Sequence, residues 1–320
     1  MDESIAPRPN DGFISSPSPP SPPSSPSSPN AASLYGIAQR HSRERILVQP
    51  LRWTSRHLEL LRISFDEPSP APNIEITDCY KGPAAPEETR LEYLLQRFHL
   101  LKSREDYFGA LLCCGSPISF FWADFHIALN RPSINLLSSP APCEGICFSM
   151  PRAQWPDPEY PIGAYIDRER IAELRKESLH FHMCNPQNAP VYSMLNHKLE
   201  QLRPTNPFKD PYIAALLIAV AQERRSILRA EKPEDLSTLA IYPSQVLYSS
   251  ESRDYIHLYK ADIPCSFLDM LDYPKIAPPE VPRILIQAFK IPRTPVGTFR
   301  DRILALVLQT TSDHSIKSEN

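Results

Sequence analysis

Regular structure in this chain has to fit between prolines: 37 of its 320 residues are proline and only eight are glycine. Proline fixes φ and withholds a backbone donor, whereas glycine supplies the positive-φ turns that many active-site loops need. Stiff, irregular connections are therefore expected at Pro68 to Pro72, Pro151 to Pro161, Pro204 to Pro211 and Pro274 to Pro282. Residues 15 to 29 read SSPSPPSPPSSPSSP, with no aromatic or aliphatic side chain to bury. Such a segment cannot offset the entropy of ordering itself. Residues 1–32 are accordingly predicted to be a disordered tail, 33–310 a globular domain that could divide near 205, and 311–320 a second disordered tail.

At 42% hydrophobic and 22% charged residues, the chain can bury a sizeable core. Its formal net charge of −3 gives no global basic field, so nucleic acid is not an expected partner, although a local basic patch remains allowed. The most hydrophobic run, Ile213 to Ala221, falls far short of the ~20 residues needed to cross a bilayer, and no membrane partner is expected. Seven cysteines, an odd number, and an N-terminus without a charged-then-apolar secretory pattern point to a soluble protein of the reducing cytoplasm or nucleus.

Periodicity places the elements. Ile46 to Trp53 and Leu58 to Phe65 are apolar runs compatible with strands or short helix, and Ile74 to Tyr80 alternates as a strand does. From Pro86, Leu91, Leu94, Leu95, Phe98 and Leu101 recur at helical spacing. Tyr107 to Trp122 should be buried, with a break near Gly115 and Pro117. Helices follow from Asp167 and over Val191 to Leu202. Asp210 as N-cap and Pro211 as first helical residue open DPYIAALLIAVAQERRSILRA, whose middle is apolar on every side and whose charged end should be exposed. Strands are expected at Leu239 to Tyr248, Tyr255 to Ile263 and Ile284 to Ile291, with a short helix over Ser266 to Leu271. A last helix should start at Thr298, with Asp301 completing a capping box. The class is α/β (α+β): a mixed sheet around a buried central helix, joined by proline-rich irregular connections.

The wording DPYIAALLIAVAQERR, then YIHLYKADIPCSFLDML and FKIPRTPVGTFRDRI, resembles a group of uncharacterised filamentous-fungal proteins that share this block over about 205–310. The resemblance implies one folded unit there and brings no activity with it.

Four constellations could hold chemistry. Cys143, Cys147, His180, His182 and Cys184 are residue types that zinc prefers; the first two would share a helix face and the other three one face of a strand. Their spacing fits no finger, and buried thiols with scattered histidines account for them. Glu223, Asp254 and Lys260 loosely echo the catalytic set of PD-(D/E)xK nucleases, where acids hold a divalent cation beside a lysine. However, the residue two before Lys260 is Leu258, so the acid-x-Lys triplet is missing. Trp122, Asp124 and His126 alternate without a nucleophile, and no G-x-S-x-G elbow, P-loop or dinucleotide fingerprint is present. In the tail, Pro17, Pro20, Pro23 and Pro26 form overlapping P-x-x-P units suited to a polyproline-binding protein, and Ser16, Ser18, Ser21, Ser25 and Ser28 each precede a proline. No cofactor is expected. The sequence leans towards a non-enzymatic interaction protein, the alternative being a divergent or degenerate metal-dependent enzyme.

Overall fold

A computed structural model describes residues 32–72, 93, 104–113, 119–127, 141–150, 160–180, 189–231, 240–250 and 254–315. The tail prolines and serines, the strand expected at Ile74 to Tyr80, and all of the Pro86 to Leu101 helix except the helical Tyr93 lie outside these residues.

The N-terminal part is built from short pieces. Helix α1 (Leu34–Arg40) starts where the Ser33 hydroxyl accepts from the Gly36 amide at 3.0 Å. The Ile46 to Trp53 run forms no strand; Pro50 opens a single 3-10 turn, Pro50–Arg52. In α2 (Ser55–Leu60) the capping partner is a histidine: the Thr54 amide donates to His57 Nδ1 at 3.0 Å. Arg62 then takes a left-handed backbone (φ 56) that stops the helix and lets the chain extend as β1 (Ile63–Phe65). β2 is Ser69–Pro70.

The middle holds α3 (Arg104–Cys113), β3 (Ser119–Ile127), β4 (Ala141–Met150), β5 (Tyr160–Asp167), α4 (Arg168–His180) and α5 (Ala189–Leu202). The C-terminal part follows the expected order: α6 (Pro211–Glu231), β6 (Ile241–Ser249), β7 (Tyr255–Pro264), α7 (Cys265–Asp272), β8 (Ile284–Pro292) and α8 (Phe299–Ser315).

The strands make one eight-stranded mixed sheet in the order β1-β8-β7-β6-β5-β4-β3, with β2 also on β8. β3, β4 and β5 are mutually antiparallel neighbours, as are β6, β7 and β8. The two sets meet where β5 runs parallel to β6, from Ala164 opposite Val246 to Asp167 opposite Ser249. A division near 205 would therefore cut one continuous sheet, since β5 precedes that position and β6 follows it.

Helices cover both faces. On one side α6 lies buried from Tyr212 to Ala221 against Ala164, Ile166, Tyr242, Val246, Tyr248 and Tyr259, with α1, α2 and α7 completing the layer. On the other, Phe108 and Leu112 of α3 and Ile303, Val307 and Leu308 of α8 cover Tyr165, Leu247, Ile256 and Leu258. β6 is thus buried along its length after Ile241, as a central strand between two layers must be.

Three expectations need correction. The charged end of α6 is exposed only in part: Glu223 and Arg229 face solvent, but Arg225 is 3% accessible and donates to Asp269 Oδ1 (2.9 Å) and Asp272 Oδ2 (2.7 Å), because α7 packs beside it and brings both acids over. Thr298 makes no capping box; its hydroxyl donates to the Pro295 carbonyl at 3.4 Å, while Asp301 pairs with Arg300. Finally, α8 continues through Ser315, into the segment assigned to a disordered tail, since no proline or glycine interrupts it after Thr298. None of the helices among the described residues is long and apolar enough to cross a membrane.

Candidate functional site

The residues suspected of nuclease chemistry are not brought together. Glu223 sits exposed on α6, in one helical layer. Lys260 is an even-numbered residue of β7, like Ile256 and Leu258, and faces the opposite layer, where its Nζ donates to the Leu306 carbonyl of α8 at 2.8 Å. Asp254 precedes β7, about 20 Å along the strand from Lys260 at the usual rise per residue, and its carbonyl accepts from the Arg293 amide (2.8 Å). Glu223 and Lys260 therefore lie on opposite faces of the sheet.

Cys143 and Cys147 share not a helix but strand β4, opposite Phe125 and Phe121 of β3; nine registered residue pairs with β3 hold this segment as a strand. His180 ends helix α4 rather than sitting on a strand, and His182 and Cys184 lie outside the described residues. Among the described residues no three of His, Cys, Asp and Glu are grouped so as to hold a metal ion. Trp122, Asp124 and His126 all lie on β3.

The densest polar cluster is at the N-terminus of α6. Asp210 caps the helix, accepting from the Tyr212 amide at 2.9 Å, and takes a two-pronged contact from Arg175 of α4 (2.8 and 2.6 Å). Arg175 Nε reaches back to the Leu51 carbonyl (3.2 Å), so one guanidinium joins α4, α6 and the Pro50 turn. Just outside the helix, the single 3-10 turn Pro207–Lys209 offers its carbonyls to the sheet: Pro207 accepts from the Tyr248 hydroxyl (3.2 Å) and Phe208 from that of Tyr259 (2.8 Å). Burial, and secondarily the Asp210 charge, push both phenols well above the usual range, so they stay protonated donors.

Between these tyrosines sits His257, 2% exposed, its ring 4.6 Å from that of Phe208. Neither ring nitrogen has a hydrogen-bond partner. Burial, with a smaller push from Lys290 across the strand pair, lowers its pKa to about 4. A neutral imidazole walled by aromatic rings, with no nucleophile to deprotonate, is arranged for packing rather than proton transfer.

A second cluster joins the ends of β5 and β6. The Ser249 hydroxyl donates to Asp167 and shares a 2.7 Å hydrogen bond with Tyr165, while Asp167 Oδ1 also accepts from the Glu169 amide at the start of α4 (2.9 Å). A serine beside a carboxylate invites comparison with a nucleophile. Here both are buried, and the carboxylate is already committed to the helix terminus.

Two surface features complete the inventory. The Tyr35 amide donates to the Pro274 carbonyl (2.8 Å), which joins the base of α1 to the turn after α7. There Tyr35, Tyr273 and Ile276 are 40%, 56% and 64% exposed, too much for core residues. Beyond the other end of α1 lies an arginine-rich turn, 40–45. The sequence reading missed His257 and the arginine turn, though both left a signal: Tyr255, His257 and Tyr259 alternate on one strand face, and RHSRER is a visible charge run. Arg175 and Ser249 left none.

No protein-family model matches this chain, and no curated protein is similar to it.

Proposed function

We propose that this chain works by binding another protein rather than by catalysis, through the P-x-x-P segments of its tail and the surface at the tail's base. The observation behind this reading is the group of exposed apolar side chains at the α1 junction: Tyr35 stands two residues after the α1 cap, where the tail meets the folded part, and Tyr273 and Ile276 emerge beside it. Tyrosine with aliphatic neighbours is the composition typical of an interface centre. A tail bearing Pro17, Pro20, Pro23 and Pro26 offers a polyproline II ridge to an aromatic groove, and this patch gives the same partner a second foothold. Inside the fold, Arg175, Asp210, Lys260 and Ser249 are each committed to scaffold contacts, which also favours binding over chemistry. The odd cysteine count favours the reducing cytoplasm or nucleus as its location.

The test is titration of the full chain against a panel of recombinant polyproline-binding domains. Replacing Pro17, Pro20, Pro23 and Pro26 by Ala should abolish binding, and Tyr273→Ser should weaken it. If no domain binds, or if binding survives the proline replacements unchanged, this reading is wrong.

A further inference from the structure

Between Arg40 and Arg62 the sequence places six arginines against two glutamates, in a chain whose net charge is −3. The fold gathers four of these arginines where α1 hands over to α2. After α1 ends at Arg40, the Glu44 amide closes a turn on the His41 carbonyl at 3.1 Å. That turn is pinned to α2 twice: Glu44 reaches Arg56 Nε (3.9 Å), and the Arg45 backbone lies against the buried His57 ring. Arg40, Arg43, Arg45 and Arg56 are all exposed. Arg56 is engaged by Glu44 and Glu59. Arg43 and Arg45 have no acidic partner among the described residues, and Arg45 holds a left-handed backbone (φ 47) at the corner of the turn.

Unpaired guanidinium forks bind phosphate groups with two parallel hydrogen bonds. A long polyanion would meet one small patch on an otherwise acidic chain, whereas a few discrete phosphates would match it. Such phosphates have a source close at hand. Ser28 lies five residues before Ser33, the α1 cap, and Ser25 eight before it, each followed by proline. Extended chain covers at most about 3.5 Å per residue, giving roughly 17 and 28 Å of reach, and a helix as short as α1 is only about 10 Å long. Both positions can therefore meet the 40–45 turn within one molecule, and the tether supplies a high local concentration.

We propose that Arg43 and Arg45, with Arg40 beside them, bind phosphoserines of the chain's own tail, so that phosphorylation folds the P-x-x-P segment back and withdraws it from a partner. This deepens the binding reading above and rests on it. A proline-directed kinase supplies the modification: the serine Oγ attacks the γ-phosphorus of ATP, the Oγ–P bond forms as the bond to the ADP oxygen breaks, and the hydroxyl proton is released.

The experiment compares the full chain before and after treatment with such a kinase and ATP, following amide exchange in the absence of any partner. Exchange over 40–45 should slow by about tenfold, the worth of one good charge-assisted hydrogen bond. Phosphatase, Arg43→Glu with Arg45→Glu, or Ser→Ala at all five serine positions should each reverse it. A synthetic peptide of residues 15–31 with phosphoserine at 25 and 28 should protect the same turn, and its unmodified form should not. The proposal is overturned if the kinase leaves the tail unmodified, if exchange is unchanged after modification, or if charge reversal leaves protection intact. It is equally overturned if duplex DNA or phosphatidylserine vesicles occupy the turn while the phosphopeptide does not. Partner binding by the unphosphorylated chain is measured separately: docking without partner binding overturns only the partner reading, and partner binding without docking overturns only this proposal.

Discussion

His257 keeps its neutral form at a cost that depends on pH. In the fold its pKa is about 4, against an ordinary value of 6.5. The unfolded chain therefore binds a proton that the folded chain refuses between these values. Its neutral burial is harmless above pH 6.5, and stability falls as pH drops from there towards 4. The full loss is about 3 kcal/mol, from roughly 1.4 kcal/mol per pKa unit. Urea denaturation at pH 7.5 and 4.5 should show this fall in the native chain, and His257→Phe should flatten it; a variant with the same pH slope would remove His257 as the cause. Arg225 illustrates the reverse situation, a charge buried because it is paired. Arg225→Ala should cost about 3 kcal/mol by taking the buried donor from Asp269 and Asp272 and leaving them only the half-exposed Arg229. Denaturation of that variant beside Arg229→Ala, whose side chain is half exposed to solvent, separates a buried contact from a surface one, and equal small losses would mean the pairing is incidental.

At the scale of elements, α6 was legible because its sequence has little choice. Ile213, Leu216, Leu217 and Val220 recur at spacings of three and four, and the alanines between them let strands approach from other sides. Leu217→Ala should remove about 2 to 5 kcal/mol of stability, measurable by chemical denaturation, with the spread set by how far β6 and α7 collapse into the space. The same reading went wrong for Arg225, since helical periodicity describes one helix and carries no information about which neighbour brings acids to its charged end. The cysteines of β4 failed differently. A spacing of four puts Cys143 and Cys147 on one face of a helix and equally on one face of a strand, and only pairing with β3 decides between them. Strands β6, β7 and β8 were readable because each is a compact β-branched and aromatic run bounded by turns. The clusters at Asp210 and Ser249 were not, because they join residues that are 35 and 82 positions apart.

Over the whole molecule, the sheet is built around two antiparallel groups, β3 to β5 and β6 to β8, each made by strands that follow one another closely along the chain, with the short β1 and β2 added in parallel on β8. Among the described residues their only direct pairing is the parallel contact of β5 with β6, four registered residue pairs long, over which α6 lies on one face. Ser249, Asp167 and Tyr165 close the end of that contact. Ser249→Ala leaves a buried carboxylate and a buried phenol short of a partner, and should lower stability by about 1 to 3 kcal/mol. Amide exchange should show β5 losing protection before β7 does; equal loss across all strands would mean the contact holds no special place. Mechanically, this makes the molecule a laminate with one seam. Pulled from its two ends, it should part first between β5 and β6, each group unravelling afterwards as a separate event, and the hydroxyl of Ser249 is the stitch at which the tear begins.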